Sequence, residues 1–475
     1  GAINKGGRIE VDATFTAHAM IYMLEQYGNH SNWLKFQGRP VFGVYRVNHN
    51  TPAFWQEVRE ILALYGWDPF IFGDLGSLQT AIHGTFDYDE WRDYGKYMDG
   101  IYTFSASLLE VSLDLPPKFR ECFAPLKIPP VIGATVRPGY LSARAYNKNW
   151  ISHRGTEIVV KSWEKALQYD PAFIHATTWN DYNEATQFSN SFSISTSQLE
   201  IGRYYLGKYF KKPPLPGTPG EPNAILSYFK VSHGNEPVRF RVLNLLTKDG
   251  AQSGQWELTL LDEQGKMLAT TTSDKLDLTK VDTWLWQWDG NITKAQTRTV
   301  KVQLKFIGDH NTKTYHHIPD IAMIDGNMYG DELYYLVPLH KLASPDKSVA
   351  VHVNGVTSQS ARHESLVDLQ LSITGASPEK THVSVAGNSY LLRLAANLKE
   401  EGAWAVPSYG YHGAKITEGD TVNSSRFIDV RQDDWANGNN YYSAQAQFED
   451  GTVAWSPTVY ALPVYDAEDV SAQWV

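Results

Sequence analysis

Five short apolar runs, each followed by a helical pattern, occupy the chain before residue 212: Arg39 to Tyr45, Pro69 to Phe72, Gly100 to Phe104, Val131 to Val136 and Phe173 to Thr178. Strand–helix alternation implies a parallel sheet, and runs without a polar face imply strands covered on both sides. The helical patterns include Phe15 to Tyr27, Thr51 to Tyr65 opened by Thr-Pro, Tyr88 to Met98, and Thr196 to Phe210. A closed (β/α)8 TIM barrel needs eight such units. Phe15 to Tyr27 would naturally follow a third strand. The runs therefore read as strands four to eight of a barrel that is either the C-terminal part of a larger protein or completed by a partner chain. An open five-stranded sheet is the competing arrangement.

The pattern changes at Pro213-Pro214-Leu215-Pro216-Gly217-Thr218-Pro219-Gly220-Glu221-Pro222, a semi-rigid linker by composition. Beyond it come alternating strand patterns such as Arg239 to Leu245, Trp256 to Leu261, Thr299 to Phe306, Ser348 to Val353 and Tyr441 to Phe448. Asp450-Gly451 marks a hairpin turn in the last of these stretches. The remainder is long for one β-sandwich. The expected fold class is α/β plus all-β: a barrel region at 1–212, the linker at 213–222, a β-sandwich at 223–337, and a fibronectin-like β-sandwich at 338–475. Trp284, Trp286 and Trp288 share one strand face. Exposed, they would stack on sugar rings; the favoured expectation is that they are buried in a sandwich core or seam.

Charge narrows the partners. A net charge of −10 disfavours nucleic acid and anionic membrane, which both require basic surface. No apolar run reaches the ~18 residues that a spanning helix needs. A neutral substrate fits better. The single cysteine, Cys122, excludes an intramolecular disulfide and any multi-cysteine metal site. His residues are scattered, and neither cofactor nor metal is implied.

Polar residues trail each strand run: Tyr45, Arg46, Asn48 and His49 after the first, Asp74 after the second, Ser105 after the third, Arg137 and Tyr140 after the fourth. Trp179, Asn180, Asp181 and Glu184 follow the fifth. Barrel enzymes place their chemistry at these carboxyl ends. An Asp-x-x-Glu is, by itself, most often a helix cap. Here a buried-strand pattern and a Trp-Asn pair precede it, which favours an active site.

The blocks Asn32-Trp33-Leu34-Lys35-Phe36-Gln37-Gly38-Arg39-Pro40-Val41-Phe42-Gly43-Val44-Tyr45, Val136-Arg137-Pro138-Gly139-Tyr140, Trp163-Glu164-Lys165-Ala166-Leu167 and Thr178-Trp179-Asn180-Asp181-Tyr182-Asn183-Glu184-Ala185-Thr186-Gln187 resemble, in order, those of glycoside hydrolase families 99 and 71. These are the endo-α-mannosidase and α-1,3-glucanase groups, and the likeness covers about residues 15 to 210. Family 99 usually carries Trp-Asn-Glu-Trp-His-Glu-Gly-Thr-Gln, whereas family 71 carries Trp-Asn-Asp-Trp or Tyr, then Gly-Glu-Ser. This chain sits between them, with Asp181 at the first acidic position and Ala185-Thr186-Gln187 echoing Gly-Thr-Gln. Leu141 departs from an acidic residue common in the family.

The resemblance implies an endo-acting glycoside hydrolase on α-linked polysaccharide, α-mannan or α-glucan, working in an extracellular or periplasmic setting. It makes Glu184 the general acid/base and Asp181 the second carboxylate, a base on water or on the sugar 2-hydroxyl. Tyr45, Arg46, His49, Asp74, Arg137, Tyr140, Trp179 and Asn180 become substrate-binding candidates. Hydrolysis needs one carboxyl protonated and the other ionised, and neighbouring carboxylates split their acidities. Whether configuration is retained or inverted depends on carboxyl separation, about 5–5.5 Å against 6.5–9.5 Å, which spacing in sequence does not fix. The alternative function is a non-catalytic carbohydrate-binding or scaffold protein derived from such a barrel. A further polypeptide completing the barrel is the expected protein partner.

Overall fold

A computed structural model describes residues 2–3, 9–10, 12–75, 88–104, 114–141, 150–181, 185–214, 217–232, 237–290, 297–323, 334–359, 364–376, 381–387, 391–394, 413–415, 425–430 and 440–461. The chain divides into two compact units, one of residues 1–137 with 161–178, the other of residues 138–160 with 179–475.

The first unit is built on a sheet in the order β6-β5-β4-β3-β2-β1, where β1 is Lys35–Phe36, β2 Arg39–Val44, β3 Phe70–Asp74, β4 Gly100–Tyr102, β5 Val131–Val136 and β6 Phe173–Ala176. Strands β2 to β6 are parallel and follow one another in sequence order. The order runs unbroken, without the reversal at a switch point that marks a doubly wound sheet. Among the described residues this arc does not close: β6 has one neighbour, and beyond β2 lies only its antiparallel hairpin partner β1.

Four helices of this unit are α1 (Ala13–Tyr27), α2 (Pro52–Leu64), α3 (Tyr88–Gly95) and α4 (Leu115–Phe123). Thr51 accepts from Phe54 N at 3.2 Å, with Pro52 opening the helix, so α2 starts where a cap and a fixed φ coincide. Ala13, Ala17, Met20, Ile21 and Leu24 make the buried stripe of α1. They join Trp55, Val58, Ile71, Ile101, Phe119 and Ile132 in a core between helices and sheet. A second cluster, Phe70, Phe72 and Tyr102 with Phe36, Val41, Phe104, Val131 and Phe173, covers the other face. Glycines make this layer possible: a Cβ on Gly100 would lie 2.2 Å from the Phe72 ring, and one on Gly133 2.3 Å from that of Phe173. At the amino ends of the strands, Asp99 takes Arg39 at 2.8 Å, the Arg59 guanidinium, and the Ile71 amide at 2.9 Å.

Helices α5 (Glu157–Gln168) and α6 (Ser197–Tyr209) flank β6 in sequence. In the second unit, one antiparallel sheet has the order β11-β8-β7-β14, where β7 is Ala224–Phe229, β8 Val238–Asn244, β11 Asp282–Trp288 and β14 Tyr334–Pro338. A second sheet contains β13-β12-β9-β10, where β9 is Ser253–Leu261, β10 Met267–Thr272, β12 Thr299–Gly308 and β13 Ile321–Met323. Leu226, Tyr228, Phe240 and Val242 of the first sheet meet Trp256, Leu258, Leu260, Leu304 and Phe306 of the second in one core. The alternating burial of β9 is what such a half-covered strand shows. Trp284, Trp286 and Trp288 are half-buried and pack against this core, Trp286 stacking on Phe240 at 5.4 Å.

Further on, β15 (Ser348–Gln359), β16 (Glu364–Thr374) and β18 (Ser425–Val430) lie in one sheet, and β17 (His382–Gly387), β19 (Asn440–Gln447) and β20 (Val453–Trp455) in another. Val349, Val351, Leu371, Val383, Tyr442, Ala444 and Phe448 form their common core. The β19–β20 hairpin turns at Asp450-Gly451, with Gly451 at φ 79°, a conformation glycine adopts without strain. No helix among the described residues is long and apolar enough to cross a membrane.

Candidate active site

Alternation along a strand decides which side chains face the arc. Phe70 and Phe72 put Asp74, the last residue of β3, on their own face. The same two-residue step carries β4 from Tyr102 to Phe104 and β6 from Phe173 to His175.

Asp74 is 1% exposed. Its Oδ2 accepts the Arg46 amide at 3.2 Å and its Oδ1 the Phe104 amide at 2.8 Å. The carboxylate thus braces the turns leaving two neighbouring strands. Arg46 meets it at φ 50°, and the Arg46 guanidinium lies 5.0 Å from the centre of the Tyr45 ring. Tyr45 is exposed and meets Phe104 edge-on at 4.8 Å. Burial, then the charge of Asp74, pushes the Tyr102 phenol well above its ordinary range, so it stays a neutral donor. His49 is exposed in a 3₁₀ turn at Val47–His49. Among the described residues no hydrogen bond or ring contact joins its side chain to this group.

His175 completes the cluster. Its ring lies 4.7 Å from Tyr102 and 5.7 Å from Phe104, and Nδ1 is 2.9 Å from Thr177 Oγ1. Burial pushes the imidazole down to about 4, which leaves it neutral across the physiological range. Sequence reading passed over His175 because the β6 run looked uniformly apolar. Its parity with Phe173 was the available signal. Arg137, one step past β5, is buried, which brings it down to about 10 and still charged at neutral pH. Ser162 Oγ donates to the Arg137 carbonyl at 3.1 Å.

The loop after β6 belongs to the second unit. Ser189 N donates to Trp179 O at 2.9 Å and Thr186 N to Asp181 O at 3.2 Å, so the chain leaves and returns as a closed loop. Trp179 is 62% exposed, Asn180 exposed and Asp181 partly exposed. Glu184, with Tyr182 and Asn183, lies outside the described residues, as does Ser105. The returning segment is held by buried His153, whose Nε2 lies 2.7 Å from Ala185 O. Burial lowers His153 and keeps it neutral, so Nε2–H donates. Gly139 lies under the same ring, where a Cβ would come within 2.8 Å of it. Two blocks distant in sequence, Pro138-Gly139-Tyr140 and Ala185-Thr186-Gln187, therefore meet on one imidazole. Tyr140 sits in a short pairing of Tyr140–Leu141 with Trp150–Ile151.

Trp179 and Asp181 thus put an exposed indole and a partly exposed carboxylate two residues apart on one loop, groups able in general to stack on a ring face and to exchange protons. Residues 9–203 match the family model described as glycosyl hydrolase family 71. This segment is a glycoside hydrolase segment. The match covers less than half of the chain and is to family 71. Among solved structures, the chain is similar to the family 99 endo-α-mannosidase from Bacteroides thetaiotaomicron, with 17% identity, 43% of this chain and 64% of that one covered, and a TM-score of 0.37. It is also similar to a glycosyl hydrolase family 2 member from Bacteroides cellulosilyticus, with 10% identity, 94% and 51% covered, and a TM-score of 0.35. A β-glucuronidase from Parabacteroides merdae gives 11% identity, 96% and 53% covered, and a TM-score of 0.35. The chain thus spans less than two thirds of the length of each of these three proteins. No curated protein matches it.

Proposed function

We propose that the chain is an endo-acting glycoside hydrolase cleaving α-linked polysaccharide, α-mannan or α-glucan, with Glu184 as general acid/base and Asp181 as the second carboxylate. The observation that carries this reading is the closed loop after β6, which presents exposed Trp179 beside partly exposed Asp181 within the family-matched segment. Trp179 supplies a stacking face, and Asn180, Tyr140, Tyr45, Arg46, His49 and Arg137 contact sugar hydroxyls. Asp74 acts through the backbone amides it holds. A polymeric substrate is met outside the cytoplasm, in an extracellular or periplasmic setting. The domain division at 212, 222 and 337 and the completion of the barrel by further polypeptide belong to the same reading.

Incubation with a panel of α-mannans and α-glucans tests it. The expected outcome is release of oligosaccharides by the wild type, and a loss of about 10²–10⁴-fold in Glu184→Gln, the range over which a positioned acid/base acts. Glycan binding with no release by the wild type would establish the carbohydrate-binding alternative instead.

A further inference from the structure

We infer that Gln445 and Trp455, about 260 residues downstream of the candidate carboxylates, are positioning residues for the loop that carries Asp181; this rests on the hydrolase reading. The loop does not end at its own closure. After Ser189 the chain runs through Ser191 to Ser195, where Ser195 N donates back to Ser191 O at 2.8 Å. At the middle of that turn, Phe192 is buried in the core shared by the two sheets of the second unit. The Phe192 carbonyl accepts twice: from Gln445 Nε2 at 3.2 Å, on β19, and from Trp455 Nε1 at 3.0 Å, on β20. A carbonyl has two lone pairs, and here the side chains of one hairpin fill both. The next residue is held as well, Ser193 O accepting the Leu336 amide of β14 at 2.9 Å.

The links run continuously from that hairpin to the acid. Phe192 is fixed by Gln445 and Trp455, Ser189 three residues earlier is bonded to Trp179 O, and Thr186 to Asp181 O. Trp455 is 1% exposed and Gln445 is buried. Their amide and indole N–H groups have no role in contacting substrate; they fix where the loop turns. Supporting side chains of this kind decide reactivity, because about 1 Å of misplacement costs on the order of 10²-fold in rate.

The test uses the full chain carrying Trp455→Phe, Gln445→Leu, and both together. Each single variant leaves one donor on the Phe192 carbonyl, and kcat on the glycan that the wild type cleaves stays within about threefold. The double variant loses about 10–100-fold in kcat with KM within about threefold. Hydrogen exchange at the Thr186 and Ser189 amides rises at least about tenfold in the double variant, while amides of β8 and β9 exchange as before. Unchanged exchange at Thr186 and Ser189 in the double variant overturns the inference. Should that variant not fold, Trp455→Phe alone decides, through a rise of about threefold or more, or none. A wild type that hydrolyses no glycan sinks the hydrolase reading, and the exchange measurement still decides whether the hairpin holds the loop.

Discussion

Two buried titratable groups bend the pH dependence of stability in opposite directions. Burial pushes Asp320 up to about 6; its carboxyl accepts the Thr458 amide at 3.1 Å. A carboxyl raised in the folded state contributes stability that is fully present below its unfolded value and is lost as pH rises through the folded one. Asp320→Asn keeps an acceptor for Thr458 without the charge. It is expected to stabilise the chain by about 2–3 kcal/mol at pH 8 and to be nearly neutral at pH 4. Denaturant midpoints at the two values check this, and equal shifts at both would contradict it. His175, lowered to about 4, has the reverse sign: its contribution is present above the ordinary imidazole range and is lost as pH falls through the folded value.

Elements were the most legible scale. The runs Val131 to Val136 and Arg239 to Leu245 appear as β5 and β8, within a residue at each end. Thr51 and Pro52 announce α2 because capping is a local event. The strand expected at Pro69 to Phe72 extends to Asp74, which is its last residue and not part of the following loop. The difference arises because both carboxylate oxygens are satisfied by amides from neighbouring turns, a partnership invisible in a linear chain. The glycines of the inner layer carry a prediction at this scale. Gly100→Ala must displace the Phe72 ring and is expected to cost about 1–3 kcal/mol. Gly43→Ala on β2 of the same sheet meets nothing within 4 Å and is expected to be neutral or stabilising by up to about 1 kcal/mol. Equal effects in thermal denaturation would refute the close-packed aromatic layer.

Across the whole molecule, sequence order and spatial order part company. Residues 138–160 follow a strand of the first unit yet pack with the second. There Gly155 lies against Ser227, and Glu157 pairs with Arg241 at 2.7 Å. The sequence showed the motifs on these loops but not what holds them, since Gly139, His153 and Ala185 are joined only by folding. Within the second unit, the loop that carries Asp181 is held on a β-rich scaffold. The most direct test is the pH profile of kcat/KM for α-glycan hydrolysis by the wild type and by Asp181→Asn. The account predicts a bell for the wild type, whose two limbs report a carboxylate that must be ionised and a carboxyl that must be protonated. In Asp181→Asn it predicts loss of the acidic limb together with at least about a hundredfold fall in rate. An Asp181→Asn enzyme with the wild-type rate and an unchanged profile would contradict it.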